Sequence, residues 1–410
     1  MRCLILGLNY LPESTSIGPY TADLAEHLLA RGHQVQVVTG FPVAPYFKIW
    51  DGYRGRLFMR EKINGVDVLR TYLYVPQRPG RARNRIMFDM SFALSAMIGG
   101  LVAGALDLVI AISPPLQLGL TAWALAKLKR ARVFLQIKDL VPDAAVAAGM
   151  LAPGGRGARM GHALERMVYR RMDRIGVICE GFRSNLLAKG VPAAKVDLLP
   201  DYIDLDFMRP AERVNGFRAA HRLGVDDFVV TYSGSIALKQ GLRVLVEAAA
   251  AMAQERGVRF LLIGDGPYLA DLQNAAQTLA AHNLTFLPLQ PREMLPAQLG
   301  AADALVVTQR KGVADCVFPG KLLYYMAAGR PILAAVSEDS ETGTFINRHR
   351  VGMVVEPENP RALAAGVMAL RAQPELARAM GAAGRATAER MFDRRVVLAD
   401  FERVLEGMAA

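Results

Sequence analysis

The chain has 410 residues, 52% hydrophobic and 21% charged, with 37 Gly and 22 Pro; this balance fits two or three globular domains and excludes a disordered chain. Three cysteines (Cys3, Cys179, Cys316) are too few and too scattered for a disulfide framework or a Cys-rich zinc site, which points to a reducing cytoplasm. The net charge of +11 is uneven, with 26 Lys and Arg against 14 Asp and Glu in residues 1–200 and 23 against 24 in residues 201–410, so only the first half should attract nucleic acid, anionic lipid or phosphorylated substrates.

In chain order, the first apolar run is too short for a signal peptide and reads as a buried strand at 2–8. Further strands are expected at 34–39, 107–113, 132–137, 174–179 and 195–199, with helices at 20–31, 85–105, 118–130, 157–172 and 183–189. In the second half, strands are expected at 228–232, 259–263, 284–287, 304–307, 332–335 and 353–355. Helices alternate with them at 242–256, 268–282, 294–299 and 321–328, and several follow from 361 onward. Near-continuous apolar strands belong to parallel sheets covered on both faces. Two rounds of strand–helix alternation predict an α/β protein of two Rossmann-like, doubly wound domains facing across a cleft. The expected division is 1–205, 206–390 and a C-terminal helix at 391–410 that packs back on the first domain. The Asp204–Asp206 pair in the aperiodic junction reads as a linker turn, not as a metal site.

Ligands in such folds bind where loops leave the carboxyl ends of strands. In GLNYLPESTSIGPYTADLAEHL, Gly18 permits close backbone approach at a helix start, as either a diphosphate contact or a structural turn. The loop opening the second domain, YSGSIALKQG, offers Gly234, Ser235 and Lys239 without a Walker signature. IGDGP, with Gly264 and Gly266, is a tight turn or a ligand contact. In DCVFPGKLLYYMAAGRP, Pro319 and Gly320 lead into a helix whose first turn carries Lys321. A cation there is unfavourable by about 0.3–1 kcal/mol unless an anion shares the helix terminus.

Together, these stretches, with the DLVPDAAVAAGML run from Asp139 and FLPLQPREMLP, resemble the GT-B-fold glycosyltransferases of family 4. The likeness is to bacterial exopolysaccharide transferases of the colanic-acid and O-antigen, N-acetylfucosamine-transferase-like type. The resemblance implies retaining transfer of a sugar from a nucleotide diphosphate sugar, with no cofactor and no metal. The nucleotide would sit on the second domain and the acceptor on the first. Gly234, Ser235, Lys239 and Lys321 would meet the pyrophosphate, Gly18 would approach it from the other domain, and Leu289 would lie near the base. Gly264, Gly266, Pro319 and Tyr324 join this donor set; Asp139, Lys321 and Asp315 are the catalytic candidates. Many members carry two Glu where this chain has Cys316 and Tyr324, so Asp315 is the candidate substitute at the sugar. Many also carry a His where this chain has Lys138. Asp139 and Asp143 would orient or deprotonate the acceptor hydroxyl, Asp143 alternatively capping a helix.

Arg78, Arg81, Arg83 and Arg85 precede 17 uncharged residues, 90–106, fewer than the ~20 needed to span a bilayer. The expectation is a peripheral contact with the anionic inner face of the cytoplasmic membrane and a lipid-linked glycan acceptor. A buried helix with an incidental basic loop is the alternative. Nucleic acid is not an expected partner, because 78–85 lacks aromatics for base stacking. The rival functions are a nucleotide-sugar 2-epimerase of the same fold, for which the six His form no evident cluster, and a non-catalytic anion-binding protein.

Overall fold

The structure, a computed structural model, describes residues 1–13, 17–44, 46–76, 82–147, 151–311 and 318–409. The chain divides into two compact units, Met1–Asp201 with Leu398–Ala410, and Tyr202–Val397.

The first unit holds an eight-stranded sheet. Its strands are β1 (Arg2–Gly7), β2 (Gln34–Gly40), β3 (Phe58–Ile63), β4 (Val66–Thr71), β5 (Leu108–Ser113), β6 (Arg132–Ile137), β7 (Arg174–Val177) and β8 (Val196–Leu198). Their order is β3-β4-β2-β1-β5-β6-β7-β8, parallel except for β3. The apolar centres of β1 and β5 are fully buried, because helices cover both sheet faces. The β3–β4 hairpin lies outside the strands expected from sequence. Its turn is Asn64–Gly65, both at positive φ, as a two-residue hairpin turn requires. Its outer strand, FMREKI, is half polar and half exposed, so it lacks the apolar run that marks the other strands.

The second unit holds β9 (Phe228–Ser233), β10 (Val258–Ile263), β11 (Leu284–Leu287), β12 (Ala304–Thr308), β13 (Ile332–Ala335) and β14 (Gly352–Val355). The order β11-β10-β9-β12-β13-β14 is all parallel and is the doubly wound 3-2-1-4-5-6 arrangement. Side chains alternate between two cores: Val306 and Leu333 pack with Val244, Leu245 and Leu363 on one face. On the other, Leu305, Val307 and Ala334 pack with Leu322, Met326 and Ala388. Both units are therefore Rossmann-like, each with a switch point where strand order reverses: β1 beside β5, and β9 beside β12.

Before β9, Arg218 is buried and donates to the carbonyls of Ala301 at 2.9 Å and Gly224 at 2.8 Å, and to Asp303 Oδ2 at 2.6 Å. Asp303 Oδ2 also accepts the Val229 N–H at 2.8 Å. In the junction, Asp204 Oδ1 accepts the N–H groups of Asp206 and Phe207 at 3.0 and 3.1 Å, an Asx turn.

Candidate functional site

In the second unit, the loops leaving β9 and β10 run against each other at the switch-point end. Gly234 has φ +145° and Gly264 φ +147°. A Cβ on Gly264 would overlap the Gly234 carbonyl oxygen, so only glycine allows this approach. Gly234 N–H donates to Ile263 O at 2.9 Å, and Ile236 N–H to Asp265 O at 2.8 Å. Gly266 lies as closely against the Ile236 carbonyl. The Gly264 N–H donates to Leu287 O at 3.0 Å, tying in the loop after β11; Leu289, two residues on, is 72% exposed.

Lys321 enters from the first turn of the helix Gly320–Ala327, whose N-cap is Pro319. Its ammonium lies against Gly234, 3.2 Å from the point a Cβ there would occupy. It donates to Tyr232 Oη at 2.5 Å and stands 3.8 Å from that ring's centroid. The Tyr232 hydroxyl in turn donates to Ser235 O at 2.7 Å, so one buried phenol joins the glycine loop to the lysine. Burial, then repulsion from Lys239, pushes Lys321 down to about 7. No carboxylate among the described residues offsets that fall. Tyr325 Oη accepts the Ser233 N–H at 2.9 Å, and Gln298 Nε2 donates to Ser233 Oγ at 2.7 Å. Burial raises both Tyr232 and Tyr325, so these hydroxyls stay protonated.

The fold thus gathers Gly234, Ser235, Lys239, Gly264, Gly266 and Lys321, with Pro319 at the helix start and Leu289 on a bordering loop. Tyr324 lies three residues along that helix and packs, half-buried, against the core. Asp315 and Cys316 lie outside the described residues. Tyr232 is a residue that motif reading passed over. Its signal was a tyrosine near the carboxyl end of a buried strand, just before the glycine loop.

In the first unit, Gly18 begins the helix Gly18–Ala30, and a Cβ there would come 2.9 Å from Glu13 O. The close approach is to its own loop. Glu13, buried, organises that loop: it accepts from Asn9 Nδ2 at 2.9 Å and from the N–H groups of Val43 and Ala44 at 2.7 Å each. Asp139 is exposed just beyond β6. Its neighbour Lys138 pairs with Asp201 at 2.5 Å. Asp143, in the first turn of the helix Val141–Ala147, pairs with Lys189 Nζ at 2.6 Å. Lys189 is also 2.7 Å from the buried Glu165. Arg78 and Arg81 lie outside the described residues.

Each unit is Rossmann-like, the second with glycine loops and a lysine at its switch point, and comparison with known proteins gives the class. Residues 15–201 match the glycosyl transferase 4-like domain, and residues 215–387 the glycosyl transferases group 1 domain. The chain is 32% identical, over 99% of its own length and all of the relative's, to WcaI of Escherichia coli (strain K12), assigned as a colanic acid biosynthesis glycosyl transferase. It is 31% identical over 58% of its length to a GDP-mannose-dependent α-(1-6)-phosphatidylinositol monomannoside mannosyltransferase of Mycobacterium tuberculosis, covering 64% of that protein. Among solved structures, it is similar to sucrose-phosphate synthase of Thermosynechococcus elongatus (TM-score 0.75, 20% identity, 100% and 99% of the two chains). HepE of Anabaena, solved with UDP-glucose, is also similar (TM-score 0.72, 13% identity, 98% and 99%). The chain belongs to the family 4 glycosyltransferases of the GT-B fold, and it is a glycosyltransferase.

Proposed function

We propose that this glycosyltransferase moves a sugar, with retention, from a nucleotide diphosphate sugar to a lipid-linked saccharide acceptor in exopolysaccharide or O-antigen biosynthesis. The observation that carries the donor half is the meeting of Lys321 with the Gly234–Ser235 and Gly264 loops at the β9–β12 switch point. Among the described residues no anion offsets the burial and the second lysine that suppress the charge of Lys321, and a diphosphate supplies one. HepE is solved with UDP-glucose and the mycobacterial relative is GDP-mannose-dependent, in keeping with a donor of this class. The relative assigned to colanic acid biosynthesis supports the pathway class.

Breaking the glycosyl–phosphate bond leaves negative charge on the diphosphate. Lys321 and Lys239 would take that charge, an effect typically worth roughly 3–4 kcal/mol per key donor. The leaving phosphate would accept the acceptor's proton during attack on the same face, with Asp139 orienting the hydroxyl. No metal is required in this reading.

A thermal-shift panel of nucleotide diphosphate sugars tests the donor. One of them should raise the melting temperature, and release of the nucleotide diphosphate should then follow addition of a lipid-linked acceptor. The anomeric configuration of the product, read by NMR, tests retention. Donor binding without acceptor-dependent release would defeat the transfer reading.

A further inference from the structure

The helix Ala82–Leu101 is held firmly by one face and bare on the other. Phe88, Phe92 and Ala96 are buried. Ser95 Oγ donates to Thr71 Oγ1 at 3.1 Å, and Thr121 Oγ1 to Ala93 O at 3.1 Å. Gly100 faces inward too, with no room for a Cβ beside Leu125. The opposite face carries Ile86, Met90, Leu94, Ile98 and Leu101, followed by Val102, each 40–63% exposed. Their spacing of three or four residues makes one continuous stripe about 24 Å long. No charged side chain interrupts it, since Asp89 is buried and paired with Arg85 at 3.1 Å. Contiguous exposed apolar surface of this kind marks an interaction site.

Charge identifies the occupant. Arg83 is exposed at the start of the stripe. At its end, Lys129 donates to Leu101 O at 3.0 Å and Ala103 O at 2.5 Å. That brings the exposed Lys127 and Arg130 of the neighbouring segment alongside. A second copy packed on this stripe would set like charges against one another, whereas anionic headgroups complement them. No helix among the described residues is long and apolar enough to cross a membrane. We propose that the Ile86–Val102 stripe docks on an anionic lipid bilayer with its helix lying in the plane of the interface.

This deepens the lipid-linked acceptor reading above, but its test needs no transfer. The full chain is floated with vesicles of phosphatidylcholine containing about one third phosphatidylglycerol, and with pure phosphatidylcholine, at low and high salt. Wild type should float with the anionic vesicles at low salt. The double variant Leu94→Glu/Ile98→Glu should bind at least about tenfold less, at an unchanged melting temperature because both positions are exposed. Val225→Glu, at a 62% exposed apolar position in the second unit, should bind as wild type does. The proposal is overturned if wild type stays unbound, binds both vesicle types equally, or binds no better than the double variant. It is overturned equally if light scattering finds a dimer that the double variant dissolves without change in vesicle binding. Intact vesicle binding with no transfer to a lipid-linked acceptor would instead remove the acceptor reading and leave this surface standing.

Discussion

Lys321, at about 7, is partly neutral above that pH, and a bound diphosphate would restore its charge. Between about pH 7 and 10.5, nucleotide binding therefore takes up a proton, and affinity falls as pH rises. Calorimetry with UDP or GDP at pH 8.5, in two buffers of different ionisation enthalpy, should give different apparent heats; identical heats would contradict the assignment. In the free protein the sign for folding is the opposite of a stabilising lysine pair. The unfolded chain binds the extra proton across this window, so stability should rise with pH there. Lys321→Ala should lower kcat/KM by at least about tenfold. Tyr232→Phe keeps the ring but removes the hydroxyl shared with Ser235 O and Lys321; a loss of about fivefold is expected, one hydrogen bond's worth.

At the scale of elements, the β9 strand is anchored by a buried charge. Arg218 is 1% exposed, and Asp303 is the carboxylate it donates to. Burial lowers the Arg218 pKa, and Asp303 opposes that fall. Asp303→Ala strands the guanidinium and frees the Val229 N–H, so it should destabilise the second unit by about 3–5 kcal/mol, measured by urea unfolding. Asp303→Asn, which keeps an acceptor, should cost less. Because β9 feeds the glycine loop, the same variant should weaken nucleotide binding as well as stability.

At the scale of the whole molecule, the chain's last segment, Leu398–Ala410, returns to the first unit. Phe401 packs edge-on to Phe134 with ring centroids 6.1 Å apart. Glu402 accepts from Arg31 Nε at 3.0 Å and lies 3.1 Å from His27 Nε2 and 3.3 Å from His33 Nε2. Burial pushes Glu402 up, but these three partners outweigh it and hold its carboxyl below the usual range. A lowered carboxylate contributes stability above its unfolded value, near pH 4.5, and loses it as pH falls through the folded value. Wild type should therefore lose more stability between pH 5 and about 3 than Glu402→Gln does, followed by thermal unfolding.

Strand–helix alternation, the glycine loops and Lys321 were legible in the one-dimensional pattern. A strand buried on both faces must be apolar throughout, and a loop that packs backbone on backbone must use glycine. The β3–β4 hairpin was not legible, because an edge strand with one wet face, such as FMREKI, carries no such run. Nor was the role of Tyr232: its partners Ser235 and Lys321 lie 3 and 89 residues away, and sequence spacing cannot say that they converge on one hydroxyl. Composition likewise revealed an uncharged stretch at 90–106 beside basic residues, but not its orientation. Burial of Phe88 and Phe92 and the close approach of Gly100 to Leu125 decided which apolar side chains are core and which face outward. Periodicity records that a residue is apolar; only the tertiary neighbours determine whether anything covers it.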